Sequence, residues 1–134
     1  MEMMKNKKKG SNAERELLLE LYNKGFAVLR VAGSGSSSLP CPDLIAIKKG
    51  NGVSIECKTK KGLYLNIKES QIEELKIWEE TSGLKSYIAW RLGKNKWYFL
   101  HYSLLNKTKK AYSIKKEEII EKGKIFEEFL KGLK

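Results

Sequence analysis

Cysteine and histidine are scarce in this sequence, and long apolar runs are absent. The two cysteines, Cys41 and Cys57, form no C-x-x-C pair and have no zinc-like spacing with the single His101. This pattern favours free thiols in a reducing compartment over a disulfide framework or a zinc site. No apolar run approaches the roughly 20 residues that a helix needs to span a bilayer, and no apolar signal segment follows the lysine-rich N-terminus. We therefore expect a cytoplasmic, intracellular protein.

Acidic residues are few relative to basic ones. The 134 residues include 27 Lys and Arg against 16 Asp and Glu, which gives a net charge of +11 and a pI near 9.6. The length predicts one domain with one hydrophobic core. So many lysines serve solubility in some proteins and reflect a hot environment in others. They are equally typical of a protein that binds a polyanion such as nucleic acid.

Apolar periodicity and turn residues divide the chain into predicted helices and strands. Residues 1–9 are expected to form a basic, flexible arm, and residues 33–39 a Ser/Gly-rich loop. In chain order we predict a helix at 13–23, strands at 26–31, 44–47 and 53–58, an irregular segment at 60–66, a helix at 68–81, and strands at 86–92 and 96–101. Residues 103–134 are expected to form a helical tail, broken near Gly123. This order predicts a single α/β domain with a central mixed β-sheet flanked by helices.

The most informative motif is a Pro-Asp pair followed, one hairpin later, by Glu-x-Lys. Asp43 precedes the first hairpin strand, while Glu56 and Lys58 end the second, with Lys49-Gly50 at the turn. A symmetric hairpin places Asp43 opposite Glu56, and Lys58 on the same face because side chains alternate along a strand. Facing carboxylates repel each other unless a cation compensates. Their oxygens suit Mg²⁺, and a lysine neutralises charge on a phosphate. The alternative is a surface hairpin whose acids are solvated.

An ordered set of further motifs surrounds this pair. Between residues 8 and 100 the motifs are Ala13-Glu14-Arg15-Glu16-Leu17, Gly25-Phe26-Ala27-Val28, Arg30, Ala32-Gly33-Ser34-Gly35, Pro42-Asp43-Leu44-Ile45-Ala46, Ile55-Glu56-Cys57-Lys58, Tyr64, Glu69-Ser70-Gln71 and Tyr87-Ile88-Ala89. In this order they resemble the PD-(D/E)xK nuclease superfamily and, within it, the archaeal Holliday junction resolvases. The resemblance implies a restriction-endonuclease-like fold and a structure-selective DNA endonuclease. Such an enzyme would resolve four-way junctions by Mg²⁺-dependent phosphodiester hydrolysis, with paired symmetric nicks.

The resemblance also implies roles for individual residues. Asp43 and Glu56 would bind Mg²⁺, for which Mn²⁺ is the expected substitute, and Glu14 on the first helix would be a third metal-binding acid. Lys58 would contact the scissile phosphate or the attacking water. Ser34 in the Ser/Gly loop completes the implied catalytic set. The implied DNA-binding residues are Lys9, Arg15, Arg30, Ser34 and Gln71.

The implied partners are four-way junction DNA and a second copy of the chain. A two-fold dimer presents two identical sites to a two-fold junction, and apolar residues of the second helix and its surroundings are the expected interface. A sliding clamp or a branch-migration helicase is a further expected partner. Association with the nucleoid would follow from the DNA substrate.

Other interpretations stay open on the sequence alone. Another PD-(D/E)xK repair or restriction-like endonuclease would act on duplex, flap or mismatched DNA. A non-catalytic basic module would bind nucleic acid, but such a module is expected to lose an acid or the lysine. At single positions, Glu14 is also explained as an acid in a first helical turn, Arg15 as a solvated helix charge and Gln71 as a helix cap.

Overall fold

A computed structural model of the protein describes residues 2–31 and 39–133, with side chains described from residue 12 onward. The strands are β1 (Ala27–Arg30), β2 (Leu44–Lys48), β3 (Asn51–Lys58), β4 (Tyr64–Lys68), β5 (Lys85–Gly93), β6 (Lys96–His101), β7 (Asn106–Lys107), β8 (Ala111–Lys115) and β9 (Lys124–Ile125). The larger sheet has the strand order β1-β2-β3-β5-β6-β9 and the smaller sheet the order β4-β8-β7. The helices are α1 (Glu2–Asn23), α2 (Glu69–Ser82), α3 (Lys116–Lys122) and α4 (Phe126–Lys131). This architecture confirms the predicted mixed sheet flanked by helices.

The β2–β3 hairpin fixes the register on which the site depends. Its turn, Lys49-Gly50, has φ angles of 51° and 84°. Left-handed conformations at both turn residues are typical of a type I′ turn, whose twist matches that of the paired strands. The ladder pairs Leu44 with Ile55. Directly before Leu44, the backbone N–H of Asp43 donates to the carbonyl of Ile55 at 3.2 Å. This bond brings Asp43 beside Glu56, close enough for the two carboxyl groups to interact, as the hairpin prediction requires.

One face of the large sheet is covered by α1 and α4. Ala13, Leu17 and Leu21 recur at helical spacing on α1 and are at most 1% exposed. They belong to one apolar cluster with residues of β2, β3, β5, β6 and α4. Burying a leucine side chain stabilises a fold by about 1.5–3 kcal/mol, so this cluster holds α1 firmly beside β2 and β3.

The opposite face of the sheet is covered by α2 and the smaller sheet. β3 pairs in parallel with β5, with Lys58 opposite Trp90. Trp90 lies in a second apolar cluster with Ile72 and Leu75 of α2. Glu56 and Lys58 therefore point to the α2 side of the sheet, because alternate residues of one strand share a face. Gly83, with φ of 78°, ends α2 in a left-handed conformation that glycine adopts without strain.

The first helix differs from its prediction. α1 begins at Glu2 rather than at residue 13, so residues 2–9, predicted as a flexible arm, belong to a helix of 22 residues. Lys, Met and Glu are good helix formers, and a single glycine such as Gly10 costs only about 1 kcal/mol within a helix. Within the described chain, no helix is both long and apolar enough to cross a membrane.

The segments after β3 and β6 also differ from their predictions. Residues 64–68, placed largely in an irregular segment, form β4, whose Leu65 and Ile67 are buried between exposed neighbours. That alternation was readable in the sequence. The tail is not purely helical, because β7, β8 and β9 accompany α3 and α4. The sequence did not predict β8, because Ile114, which pairs with Leu65, is its only fully buried residue. The strand therefore shows no alternation of apolar and polar residues.

Candidate active site

The centre of the site is a pair of carboxyl groups between β2 and β3. Asp43 stands immediately before β2 and is buried. Its Oδ2 accepts a hydrogen bond from the backbone N–H of Cys57 at 2.9 Å. Glu56 is 15% exposed at its side chain, and its buried Oε1 has no hydrogen-bond partner among the described residues. A buried polar atom without a partner is costly to a fold, so the hairpin holds the Glu56 carboxyl in a place that suits a ligand.

The ionisation of Glu56 is strongly perturbed. Burial, followed by the charge of Asp43, raises the pKa of Glu56 from 4.5 to about 8, against the opposing effect of Lys58. The two acids therefore resist being ionised together at neutral pH. A divalent cation between them would remove that conflict, and oxygen ligands from two carboxylates suit Mg²⁺. The pair fits the predicted cation chemistry on these two grounds.

Lys58 lies on the same face as the acid pair, as predicted. Its Nζ is 3.8 Å from Glu56 Oε2 and donates a hydrogen bond to Gln71 Oε1 at 3.2 Å. Gln71 is the third residue of α2, and the helix thus fixes the direction of the lysine side chain. The sequence motif gave no sign of this contact between Gln71 and Lys58.

Glu14 lies close enough to Asp43 for the two charges to interact, but it has a partner of its own. Its Oε2 accepts a hydrogen bond from Arg30 Nε at 2.9 Å. Burial and then the charge of Asp43 raise the pKa of Glu14, while Arg30 lowers it. This ion pair joins α1 to β1 and had no signal in the sequence, because its members are 16 residues apart.

A three-acid metal centre is not formed by the described residues. Among them, no group of three or more His, Cys, Asp and Glu side chains is arranged to hold a metal ion. Asp43 and Glu56 form a pair, and Arg30 engages the carboxylate of Glu14. The role of Glu14 as a third metal ligand therefore stays a prediction.

The structure describes some of the remaining predicted residues and not others. Ser34 lies outside the described residues, as does the side chain of Lys9, whose backbone is in α1. Arg15 is exposed on α1, next to Glu14. Cys57 packs against the α1-side cluster, away from the acid pair, as expected of the residue between Glu56 and Lys58. Both cysteines are free thiols.

The fold and the Asp-Glu-Lys arrangement define a restriction-endonuclease-like nuclease of the PD-(D/E)xK class. A family model for archaeal Holliday junction resolvases (Hjc) matches residues 5–134. The chain belongs to the archaeal Holliday junction resolvase family, which confirms the resemblance found in the sequence.

Individual relatives agree with the family model. The chain is 40% identical to the crossover junction endodeoxyribonuclease Hjc of Archaeoglobus fulgidus over 132 residues, 91% of this chain and 95% of the relative. It is 35% identical to the Hjc of Sulfolobus acidocaldarius over 130 residues, 96% of this chain and 90% of the relative. A solved structure of Archaeoglobus fulgidus Hjc, titled a Holliday junction resolvase from an archaeal hyperthermophile, superposes with a TM-score of 0.80 at 33% identity, covering 90% of this chain and 94% of the other.

Proposed function

We propose that the protein is an endonuclease that resolves four-way (Holliday) junctions, using Mg²⁺ held by Asp43 and Glu56. The observation that carries the proposal is the buried acid pair with Lys58 Nζ 3.8 Å from Glu56, in a chain of the resolvase family. The Glu56 oxygen without a protein partner supports the metal assignment. Mn²⁺ is the proposed substitute.

Each side chain of the site has a separate task in this mechanism. Asp43 and Glu56 would hold Mg²⁺, which as a Lewis acid would supply charge stabilisation to the scissile phosphate and a lowered pKa to bound water. Lys58 places a positive charge beside the acid pair, where it neutralises charge that develops on the phosphate. Gln71 restrains Lys58 by accepting its hydrogen bond, and the Cys57 N–H restrains Asp43. The chemistry thus rests on groups that are oriented before the substrate arrives.

A cleavage assay tests the proposal directly. Synthetic four-way, three-way, flap and linear duplex DNA of matched length would be incubated with the protein, with Mg²⁺ or with EDTA. We expect paired nicks in the four-way junction with Mg²⁺ and none with EDTA. Cleavage that persists in EDTA would contradict the metal assignment. Preferred cutting of flaps or duplex would favour the runner-up, another PD-(D/E)xK repair or restriction-like endonuclease.

Paired nicks require two active sites, so we propose a homodimer. Leu29 of the edge strand β1 pairs with Ile45, which pairs with Ser54. Ser54 is hydrogen-bonded to Ser86, and Ser86 Oγ donates to the carbonyl of Leu75 on α2. Leu29 and Ile45 therefore share the α2 side of the sheet, beyond the part that α2 covers.

Apolar side chains are exposed at this place. Leu29 is 59% exposed and Ile77 of α2 is 48% exposed. The side chains of Ile47 and Leu84 both lie within contact distance of the position that a Cβ atom on Gly52 would occupy. The exposed apolar residues of the strands are therefore continuous with the end of α2. An apolar surface of this kind is typical of a subunit interface, and a C2 dimer buries the same surface on both chains.

Charged substitutions on this surface test the dimer. Sedimentation velocity at micromolar concentration should give a dimer for the native chain. Leu29→Glu together with Ile77→Glu should give a monomer, because two buried charges per subunit would have no partners. Leu104→Glu is the matched control, since Leu104 is 56% exposed on a short 3-10 turn after β6. A monomeric native chain would contradict the paired-nick mechanism. A sliding clamp or a branch-migration helicase as partner stays a prediction.

A further inference from the structure

A basic cleft opens at the carboxyl ends of β3 and β5, and its lining begins at Thr59, the residue after Lys58. It has a volume of about 950 Å³, and its lining includes Lys60, Lys61, Arg91, Lys94 and Lys116. No acidic side chain lines it among the described residues. Three chain segments that are distant in sequence meet there, so the concentration of positive charge is a product of the fold. None of the sequence motifs pointed to these residues as DNA contacts.

The lysines of the cleft are available to a ligand. Lys60, Lys61, Lys94 and Lys116 are exposed, and none of them forms an ion pair within the described part of the chain. By contrast, the lysines at positions 24, 58, 107 and 122 are each paired with a glutamate. Four unpaired ammonium groups on one surface attract an anion, because each of them favours negative charge nearby.

Arg91 forms the fixed wall of the cleft. Its Nη2 donates to Glu16 Oε2 at 3.0 Å, and its Nε is buried without a partner among the described residues. Glu16 and Glu20 of α1 are the acids beside this guanidinium. Among the described residues, neither acid forms an ion pair with a lysine of the cleft.

The position of the cleft identifies its ligand. Thr59 and Lys60, which line it, follow Lys58 directly in the chain, and three residues span at most about 11 Å. A DNA strand whose scissile phosphate lies at Lys58 therefore has neighbouring phosphates within reach of the cleft. Lysine ammonium groups on flexible side chains suit such phosphates, and neutralising them releases counterions.

We propose that this cleft, formed by residues 59–62, residues 91–94 and Lys116, binds the sugar-phosphate backbone that flanks the scissile phosphate of the substrate DNA. The inference rests on the proposed nuclease function, because the active site supplies the starting phosphate. The cleft fixes the position of the strand through phosphates and reads no base sequence. Its lysines contribute to affinity and leave the chemical step to the acid pair and Lys58.

A pair of charge-matched variants of the full chain tests this inference. The cleft variant carries Lys61→Gln, Lys94→Gln and Lys116→Gln. The control variant carries Lys85→Gln, Lys109→Gln and Lys110→Gln, which remove the same charge at the amino ends of β5 and β8, the strands whose carboxyl ends lead into the cleft. Binding of a labelled four-way junction would be measured in EDTA at several salt concentrations, after circular dichroism has shown that both variants are folded.

The cleft variant should bind the junction at least about tenfold more weakly at 100 mM salt, and its salt dependence should fall by about one unit per lysine that meets a phosphate. The control should keep the native salt dependence. Equal losses in both variants, or no loss in the cleft variant, would overturn the inference. With Mg²⁺ and protein below saturation, the cleavage rate of the cleft variant should fall by about the same factor as its junction binding, and a native rate under these conditions would also overturn the inference.

This design separates the inference from the function on which it rests. A native chain that cuts no junction would defeat the proposed function, whatever the binding result. A native chain that cuts junctions, with a cleft variant that binds them as tightly as the control variant does, would defeat the cleft alone.

Discussion

The acid pair and the basic cleft are neighbours at the carboxyl end of β3, yet they use charge in opposite ways. Asp43 is buried and Glu56 is largely buried, and this burial, followed by the charge of Asp43, raises the pKa of Glu56 to about 8. The cleft lysines are exposed and surrounded by water. Water screens their repulsion, so the cleft has little effect on stability, whereas the buried pair lowers the stability of the folded chain.

The comparison shows that the two regions have different structural requirements. A cation site must orient its oxygens tightly, and the rigid β2–β3 hairpin provides this by enclosing the two carboxyl groups. Binding a DNA backbone needs only positive charges that reach its phosphates, and the exposed lysines of the cleft provide these. The two proposals thus assign catalysis and affinity to separate groups of residues, and variants can test that separation.

The largest expected effect is the loss of cleavage when the acid pair is broken. Asp43→Asn or Glu56→Gln should slow junction cleavage by about a thousandfold or more, because the cation loses a charged ligand. Junction binding in EDTA should stay within about threefold of the native value, since the cleft lysines remain. Single-turnover cleavage and binding assays measure both quantities. Glu121→Gln, at an exposed acid on α3, is the control.

The comparison would break if these variants still cut junctions at the native rate. It would also break if they bound the junction as weakly as the cleft variant does, because the acid pair would then contribute mainly to affinity.

A smaller loss of rate is expected for Lys58, which stands between the two regions. Lys58→Met should lower the saturating single-turnover rate by about a hundredfold, with Lys110→Met as the charge-matched control. This outcome would place Lys58 with the acid pair. A variant that binds more weakly but cuts at the native rate when saturated would instead make Lys58 the first residue of the cleft.

The smallest expected effect is on stability, and it concerns the metal-free protein. The pKa of Glu56 is higher in the folded chain, about 8, than its ordinary value of 4.5. Between these values the folded state binds more protons than the unfolded state, so the free energy of unfolding should fall as pH rises from 4.5 to 8 and then level off. A difference of about 3.5 pKa units sets an upper limit of about 5 kcal/mol on the contribution of Glu56.

Urea unfolding in EDTA at a series of pH values measures this decline. Glu56→Gln should remove most of it, while Glu121→Gln should leave it unchanged. The raised pKa of Glu14 acts in the same direction, so a residual slope is expected in Glu56→Gln. An identical slope in the native chain and in Glu56→Gln would show that the Glu56 carboxyl is not confined as described.

The site could be predicted from the sequence where local geometry sets it. A two-residue turn fixes the hairpin register, and alternation along the strand then brings Asp43, Glu56 and Lys58 to one place. The ion pair between Glu14 and Arg30 could not be predicted, since it depends on how α1 packs beside β1. The family resemblance pointed to both residues, but not to their contact.

The fold, too, could be predicted where local sequence sets the structure and not where distant segments meet. The two main helices and the strands of the large sheet up to His101 were predicted from periodicity, with small differences at their ends apart from the early start of α1. The strands of the tail were not predicted, because β8 pairs with β4, which lies about 50 residues earlier in the chain. The basic cleft was missed for the same reason, as Lys61, Lys94 and Lys116 are brought together only by the sheet ends.

Metal binding by the DNA-free protein tests the central claim, that the two hairpin carboxylates form a cation site. Calorimetric titration with Mn²⁺ at pH 8 should give a saturable heat for the native chain that is absent in Asp43→Asn and in Glu56→Gln and retained in Glu121→Gln. Equal binding of Mn²⁺ by all four proteins would contradict the account.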